Sequence, residues 1–297
     1  MSRTPASDVE ITADTVRRLL REQHTDMAHE PVTVLANGWD NVIARVGDDL
    51  LARLPRREQA AKLVLAEQAW LPQLAPRLPL AVPVPVRTGV PTSFYPYSWS
   101  LTPWLPGRPV VSGDGTSAEI DPGGTALALG AFLGALHHPA PPHAPTHRTR
   151  GVPLLDRREL DDHNASLLSD TGHLIEALEA GRSAKPWPHE PVWLHGDLHP
   201  ANVLVREGRI GAVIDFGDVT AGDPATDLAV AWMLVPAPAR DVFWDQYARA
   251  VPFLDETRVI RARAWAAAFA LVFLANSADN PQMAAIGRAT SGALRSE

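Results

Sequence analysis

The residues of this chain best suited to chemistry lie in His195-Gly196-Asp197-Leu198-His199-Pro200-Ala201-Asn202 and, a little further on, Asp215-Phe216-Gly217-Asp218. A carboxylate held beside a hydroxyl accepts its proton. A second carboxylate and a neutral amide oxygen are hard ligands of the kind Mg²⁺ takes, with water and phosphate completing its shell. A proton acceptor and metal ligands are the parts phosphoryl transfer uses, because that reaction is catalysed mainly by positioning and by neutralising charge. The elements that must position these groups are short. Apolar runs at 192–194, 203–205 and 213–214 read as strands, which places Asp197, Asn202 and Asp215 on turns at their ends.

Two spaced motifs in this order, each in a strand–turn context, resemble the protein-kinase-like antibiotic phosphotransferases, the group of aminoglycoside and macrolide kinases. The resemblance is specific over 193–229 and covers most of the chain at the level of lobe order. It implies an α+β, bilobal protein-kinase-like fold with a small antiparallel-sheet N-lobe and a larger, mainly helical C-lobe. The activity it implies is transfer from ATP, or another nucleoside triphosphate, to a hydroxyl of a small molecule, with Mg²⁺ as cofactor and an antibiotic such as an aminoglycoside or macrolide as acceptor. Carried over residue by residue, Asp197 is the catalytic base, Asn202 and Asp215 are the Mg²⁺ ligands, and Phe216-Gly217 completes a D-F-G. His195 stands where the kinase catalytic loop has a structural histidine, and His199 where many protein kinases carry a lysine near the transferred phosphate. The stretch 222–229 is similar to the one that opens the family's next helix. Alternatives are a metabolite kinase of the same fold and a non-catalytic kinase-like protein that binds nucleotide or ligand.

Ahead of these motifs, 8–24 has helical spacing with Asp8 as its cap. Three strands at 32–36, 42–46 and 50–54 follow, separated by turn chemistry at 37–41 and 47–49, then a helix over 57–74 and strands at 84–88 and 98–104. Leu105-Pro106-Gly107 reads as a connector, giving a nucleotide-binding lobe over 1–108 and a catalytic and substrate-binding lobe over 109–297. The kinase-like reading needs a cation on the third strand paired with a helix glutamate. The chain has two lysines, Lys62 and Lys185, and Lys62 falls on the helix. Arg53 is therefore the candidate cation, with Glu67 as partner and Glu58 as competitor, against the plainer reading of Arg53 as a surface strand residue. Gly38 and Asn41 lie in a loop whose N–H groups are suited to covering phosphates, although it holds one glycine rather than several.

Beyond Asp121 the pattern turns helical, with Leu129, Phe132, Leu133 and Leu136 on one face, two more helices before Pro186, helices after Pro224, and β segments only over 193–215. Asp223, before Pro224, reads as a helix cap, and Asp227 as a first-turn carboxylate complementing the helix dipole. His137, His138, His143 and His147 read as solvated. The His195/His199 spacing matches a zinc pair, and a metal-dependent hydrolase is the rival it raises, but Gly196 and Pro200 break the helix such a pair needs. Trp232, Trp244, Trp265, Phe243, Phe269 and Phe273 read as core first, and under the resemblance as acceptor pocket. Asp279 and the acidic residues at 241, 245, 255 and 256 read as solvated helix faces.

Composition narrows the classes. With no cysteine, disulfides, thiolate metal sites and cysteine nucleophiles are excluded. A net charge of −7 disfavours nucleic acid and anionic membranes as partners and mildly favours a cationic or neutral substrate. The start lacks the apolar segment of a signal peptide, and the longest apolar run, 264–275, falls short of the ~20 residues a bilayer requires. A cytoplasmic protein is expected.

Overall fold

Short runs of β-branched and aliphatic residues broken by Gly-Asp-Asp and Asn-Gly turns become the first three strands: β1 Val32–Asn37, β2 Asn41–Val46 and β3 Leu50–Pro55. The computed structural model describes residues 6–38, 40–251 and 255–296. It divides the chain into an N-terminal unit, which runs up to Pro76 and resumes over Val82–Leu105, and a C-terminal unit holding Arg77–Ala81 and everything from Pro106.

In the N-terminal unit, helices α1 Ala13–Gln23 and α2 Glu58–Leu74 accompany an antiparallel sheet completed by β4 Arg87–Gly89 and β5 Trp99–Pro103, in the order β1-β2-β3-β5-β4. Ala44, Val46, Ala52, Leu54 and Leu101 share one core with Val16, Leu19 and Leu20 of α1. Because strand side chains alternate, Arg53 between Ala52 and Leu54 belongs to the other face. There α2 packs on β3 and β5, and the Gln68 side-chain amide donates to the Trp99 carbonyl at 2.9 Å. Two sequence expectations need correction. Asp8 does not cap α1, which begins at Ala13 with a reciprocal capping box between Thr12 and Thr15. Asp8 instead accepts from the Glu58 N–H at 3.0 Å, capping α2, whose own N-cap residue Arg57 supplies no side chain for the purpose. The strand expected over 84–88 shrinks to β4, since Pro83 and Pro85 bring no N–H to a ladder.

The C-terminal unit has two small sheets. β6 Arg108–Pro109, β8 Val203–Arg206 and β9 Arg209–Val213 form one in the order β6-β8-β9; β7 Val192–Leu194 and β10 Thr220–Gly222 form the other. β10 lies past the 193–215 interval expected to hold all the β structure here. The helices are α3 Pro122–Leu136, α4 Arg158–Ser166, α5 Gly172–Ser183, α6 Ala225–Leu228, α7 Val230–Met233, α8 Arg240–Ala250, α9 Arg258–Asn276 and α10 Pro281–Arg295. Asp121 caps α3 through the Gly124 N–H at 3.0 Å. Leu129, Phe132, Leu133 and Leu136 of α3 are fully buried, each worth roughly 1.5–3 kcal/mol as an upper bound. By length and composition α9 could cross a membrane, but 61% of its apolar window is buried, and it packs against α4, α5, α6 and α10 as the central core helix.

Candidate active site

Two pairings bring the motif residues together. β7 runs into the His195–Asn202 loop and β10 receives the chain after Asp218, so the antiparallel match of Leu194 with Thr220 sets the two stretches side by side. The β8–β9 hairpin aligns Val203 with Val213, and the Ile214 N–H donates to the Asn202 carbonyl at 2.9 Å. Asn202 and Asp215 thus flank the same end of one hairpin. Asp215 has left-handed backbone, φ 65° and ψ 65°, a conformation that aspartate tolerates better than most side chains.

The His195–Asn202 loop is clamped by a residue far along the chain. Asp227, fully buried, accepts from the His195 N–H at 2.7 Å and the Gly196 N–H at 2.9 Å. His137 Nε2 lies 3.3 Å from the same carboxylate, and its Nδ1 lies 3.0 Å from the Tyr247 hydroxyl. Burial, together with the nearby Asp223 and Asp227 charges, raises the Tyr247 pKa well above its ordinary value. The phenol therefore stays protonated, and the His137 ring bridges the Tyr247 hydroxyl and the Asp227 carboxylate. His137 is thus a buried strut, not the solvated residue its place beside a proline-rich loop suggested, and Asp227, in the first turn of α6 as expected, also clamps the loop. Asp223 does accept from the Ala225 N–H at 2.9 Å, but it is also bound by Arg261 at 2.7 Å, and Arg261 in turn grips Asp255 at 2.8 Å. Asp255 is accordingly no solvated helix face.

His195 is fully buried, tilted against Phe216 at 4.5 Å. Its Nε2 meets the Ile214 carbonyl at 3.0 Å and its Nδ1 accepts from the Asp197 N–H at 3.2 Å. Both ring nitrogens are committed, so the His195/His199 zinc pair fails on geometry.

Asp197 keeps 26% of its side chain exposed, between two cationic or potentially cationic groups: Arg150 Nη2 3.0 Å from Oδ1 and His199 Nε2 3.2 Å from Oδ2. Burial raises its carboxyl pKa, but His199, Arg150 and His195 outweigh this and hold it well below the usual carboxylate range. The Asn202 side-chain nitrogen donates to the Asp197 carbonyl at 2.9 Å, which fixes the amide and leaves its oxygen for a ligand. One amide oxygen and one carboxylate form a hard donor set that fits Mg²⁺ completed by phosphates and water. Among the described residues no group of three or more His, Cys, Asp or Glu could hold a metal by itself. His199 is 4% exposed, its ring edge-on to Phe273 at 5.3 Å.

In the N-terminal unit the structure brings Arg53 to within 3.2 Å of Glu67, their side chains 11% and 4% exposed. The partner is Glu67 rather than Glu58. Lys62 is exposed on α2. The loop after β1 differs from expectation: the Gly38 N–H closes the hairpin onto the Asn41 carbonyl at 2.9 Å, and its own carbonyl accepts from Arg56 at 2.8 Å. The Gly38 amide is therefore not offered to a phosphate. Asn41 is the first residue of β2, 8% exposed; Trp39 lies outside the described residues. Trp265, Phe243 and Phe269 are buried in the core, and Phe273 lies edge-on to His199 in the His195–Asn202 loop. Arg150 escaped the sequence reading, because a lone arginine after a proline-rich segment has neither period nor motif to mark it.

The model of the APH phosphotransferase enzyme family matches residues 31–263. Homoserine kinase from Acidiphilium cryptum (strain JF-5) is 30% identical over 204 residues, which are 64% of this chain and 60% of that protein, so the match spans well under two thirds of this relative's length. Among solved structures, the GDP and kanamycin complex of APH(2")-IIia superposes with a TM-score of 0.71 at 19% identity, covering 95% of this chain and 98% of that one. Macrolide 2'-phosphotransferase MphH from Brachybacterium faecium gives 0.68 at 24% identity, covering 96% and 99%. At these identities the structural likeness is one of fold: the bilobal kinase-like arrangement of an antiparallel-sheet region followed by a helical one.

Proposed function

We propose that this chain, which belongs to the phosphotransferase enzyme family, transfers the γ-phosphoryl group of ATP or a related nucleoside triphosphate to a hydroxyl of a small molecule. The observation that carries the reading is the convergence of Asp197, Asn202 and Asp215 at the ends of β7 and the β8–β9 hairpin. In the proposed reaction the acceptor oxygen attacks the γ-phosphorus, the bond to the β,γ-bridging oxygen breaks, the nucleoside diphosphate leaves, and the hydroxyl proton passes to Asp197. His199, buried against the same carboxylate, acts through Asp197 as a positioning residue. Asn202 and Asp215 would hold Mg²⁺, whose contribution when bound is neutralisation of phosphate charge. Arg53, steadied by Glu67, supplies a guanidinium for the phosphates in place of a lysine.

Two acceptor classes have support. The aminoglycoside and macrolide phosphotransferases among the solved structures favour an antibiotic hydroxyl; the homoserine kinase match favours a small hydroxylated metabolite. A non-catalytic binding role is disfavoured by the intact Asp197, Asn202 and Asp215. The test is a screen of ADP release over hydroxylated antibiotics and metabolites, with products weighed for one added phosphate. Nucleotide binding with no phosphorylated product from any acceptor overturns the proposal in favour of the binding role.

A further inference from the structure

The surroundings of Asp197 bear on the acceptor itself. Arg150 is 13% exposed, and of its guanidinium nitrogens Nη2 alone meets an acceptor, Asp197 Oδ1 at 3.0 Å; Nε is buried with no hydrogen-bond partner. The group lies over the Phe269 ring, 4.8 Å from its centroid.

Its backbone is pinned on both sides. The Thr149 N–H donates to His147 Nδ1 at 3.1 Å, and the Thr149 carbonyl accepts from Arg157, itself buried over Trp265. The Gly151 N–H donates to the Thr226 hydroxyl at 3.0 Å, and the Gly151 carbonyl accepts from the Asp223 N–H at 2.9 Å. Gly151, at φ +67°, lies against Gly222, where an added Cβ would come within 2.2 Å of the Gly151 carbonyl oxygen. Arg150 is therefore presented by a rigid frame, with hydrogen-bonding capacity that no protein group uses.

We infer that the acceptor carries a carboxylate close to its reactive hydroxyl, and that Arg150 is the residue that binds it. The inference rests on the phosphotransferase reading and narrows its substrate class. A guanidinium locked onto the base competes with the incoming hydroxyl for Oδ1. An acceptor carboxylate takes the fork of Arg150 bidentately and so frees the base without stranding a cation in a largely buried place. A polycationic acceptor would meet Arg150 with like charge, and a dianion would face the neighbouring Asp197 carboxylate. With two further hydrogen bonds of about 2.7–3.0 Å added to the 3.0 Å between Arg150 and Asp197, hydroxyl and carboxylate lie within about 9 Å of one another through Nη2, a small-molecule spacing.

The experiment uses the full chain with Mg-ATP and matched sets of hydroxy carboxylates, their primary amides and the corresponding amines. It reads ADP release, product mass and, separately, calorimetric binding of each compound. The expected result is a carboxylate-over-amide preference of about 10- to 100-fold in kcat/KM, the range for a hydrogen bond to a charged group. Most of that preference should be lost through KM in Arg150→Met and partly kept in Arg150→Lys. Amides or amines used as well as carboxylates, or a preference untouched in Arg150→Met, would overturn it, and the wild-type series alone decides the matter if Arg150→Met does not fold. Arg150-dependent carboxylate binding without any phosphorylated product would uphold the anion site and sink the transfer reading, whereas turnover without the preference does the reverse.

Discussion

Arg53 and Arg150 each stand about one hydrogen bond from a carboxylate, 3.2 Å from Glu67 and 3.0 Å from Asp197, yet they are placed by different means. Arg53 is set by regular structure. It sits in β3 between Ile43 of β2 and Ser100 of β5, and its partner comes from the helix packed on that face. Arg150 belongs to no element, and its position depends on Arg157, Thr226 and Asp223, scattered over the C-terminal unit. A cation for phosphates that every member of a reaction class must handle is served by a periodic scaffold. A cation for an acceptor that differs from enzyme to enzyme is better carried by a loop, which can be exchanged without rebuilding a sheet.

The comparison presupposes that Asp197 is the base. Asp197→Asn is expected to lower kcat by about 10²–10⁴ with thermal unfolding unchanged, and a wild-type rate would remove the reason for contrasting the two arginines. Next in size, Arg53→Ala should raise the nucleotide KM by about 10- to 100-fold, the value of a hydrogen bond to a charged group, and leave the acceptor KM alone. Arg53→Lys should recover part of this, because the ammonium lacks the fork. Equal changes in both constants would break the division between a phosphate cation and an acceptor cation.

A smaller effect is expected where the loop is clamped. Asp227→Asn replaces one of the two acceptors facing the His195 and Gly196 N–H groups by a donor, which should cost about 1–3 kcal/mol in urea unfolding and slow turnover without shifting the nucleotide KM. Unchanged stability would mean that the loop holds its own shape. Acid sharpens the same point. Burial raises the Asp255 pKa, but hydrogen bonds from Arg261 and Thr257 outweigh it, so the folded carboxyl titrates below its ordinary value. The stability it contributes is present above the unfolded carboxylate pKa of about 3.9 and is lost as pH falls through the lower folded value. The gap in Tm between wild type and Asp255→Asn should therefore be open at neutral pH, begin to narrow as pH falls past about 4, and close as pH falls through the lower folded value. A gap that does not narrow on acidification would contradict the assignment. Least affected should be Lys62→Ala, exposed on α2, within about 0.5 kcal/mol in stability and silent in nucleotide binding.

What could be read from sequence follows the same line. The three-strand meander, α2 and the flanks of the His195–Asn202 loop announce themselves by alternation, helical period and turn residues, and Arg53 with Glu67 follows once the third strand is located. Asp8 misleads because its true partner, the Glu58 N–H, is a tertiary neighbour. His137 misleads because the burial supplied by Tyr247 of α8 leaves no local trace. Net charge is silent on the site. The −7 total describes the whole surface and carries no information on the immediate surroundings of Asp197, where Arg150 and His199 stand.

Asp227 also fixes an order of manufacture. A ribosome delivers His195, Gly196, Asp197 and Asn202 well before Asp227, and until then the two loop amides have only water to bond. A nascent chain, or one cut short between Asp218 and Asp227, carries every residue of both motifs but lacks the carboxylate that accepts the His195 and Gly196 N–H groups. The motif becomes an instrument only when the chain that follows it has been made and folded back beneath it.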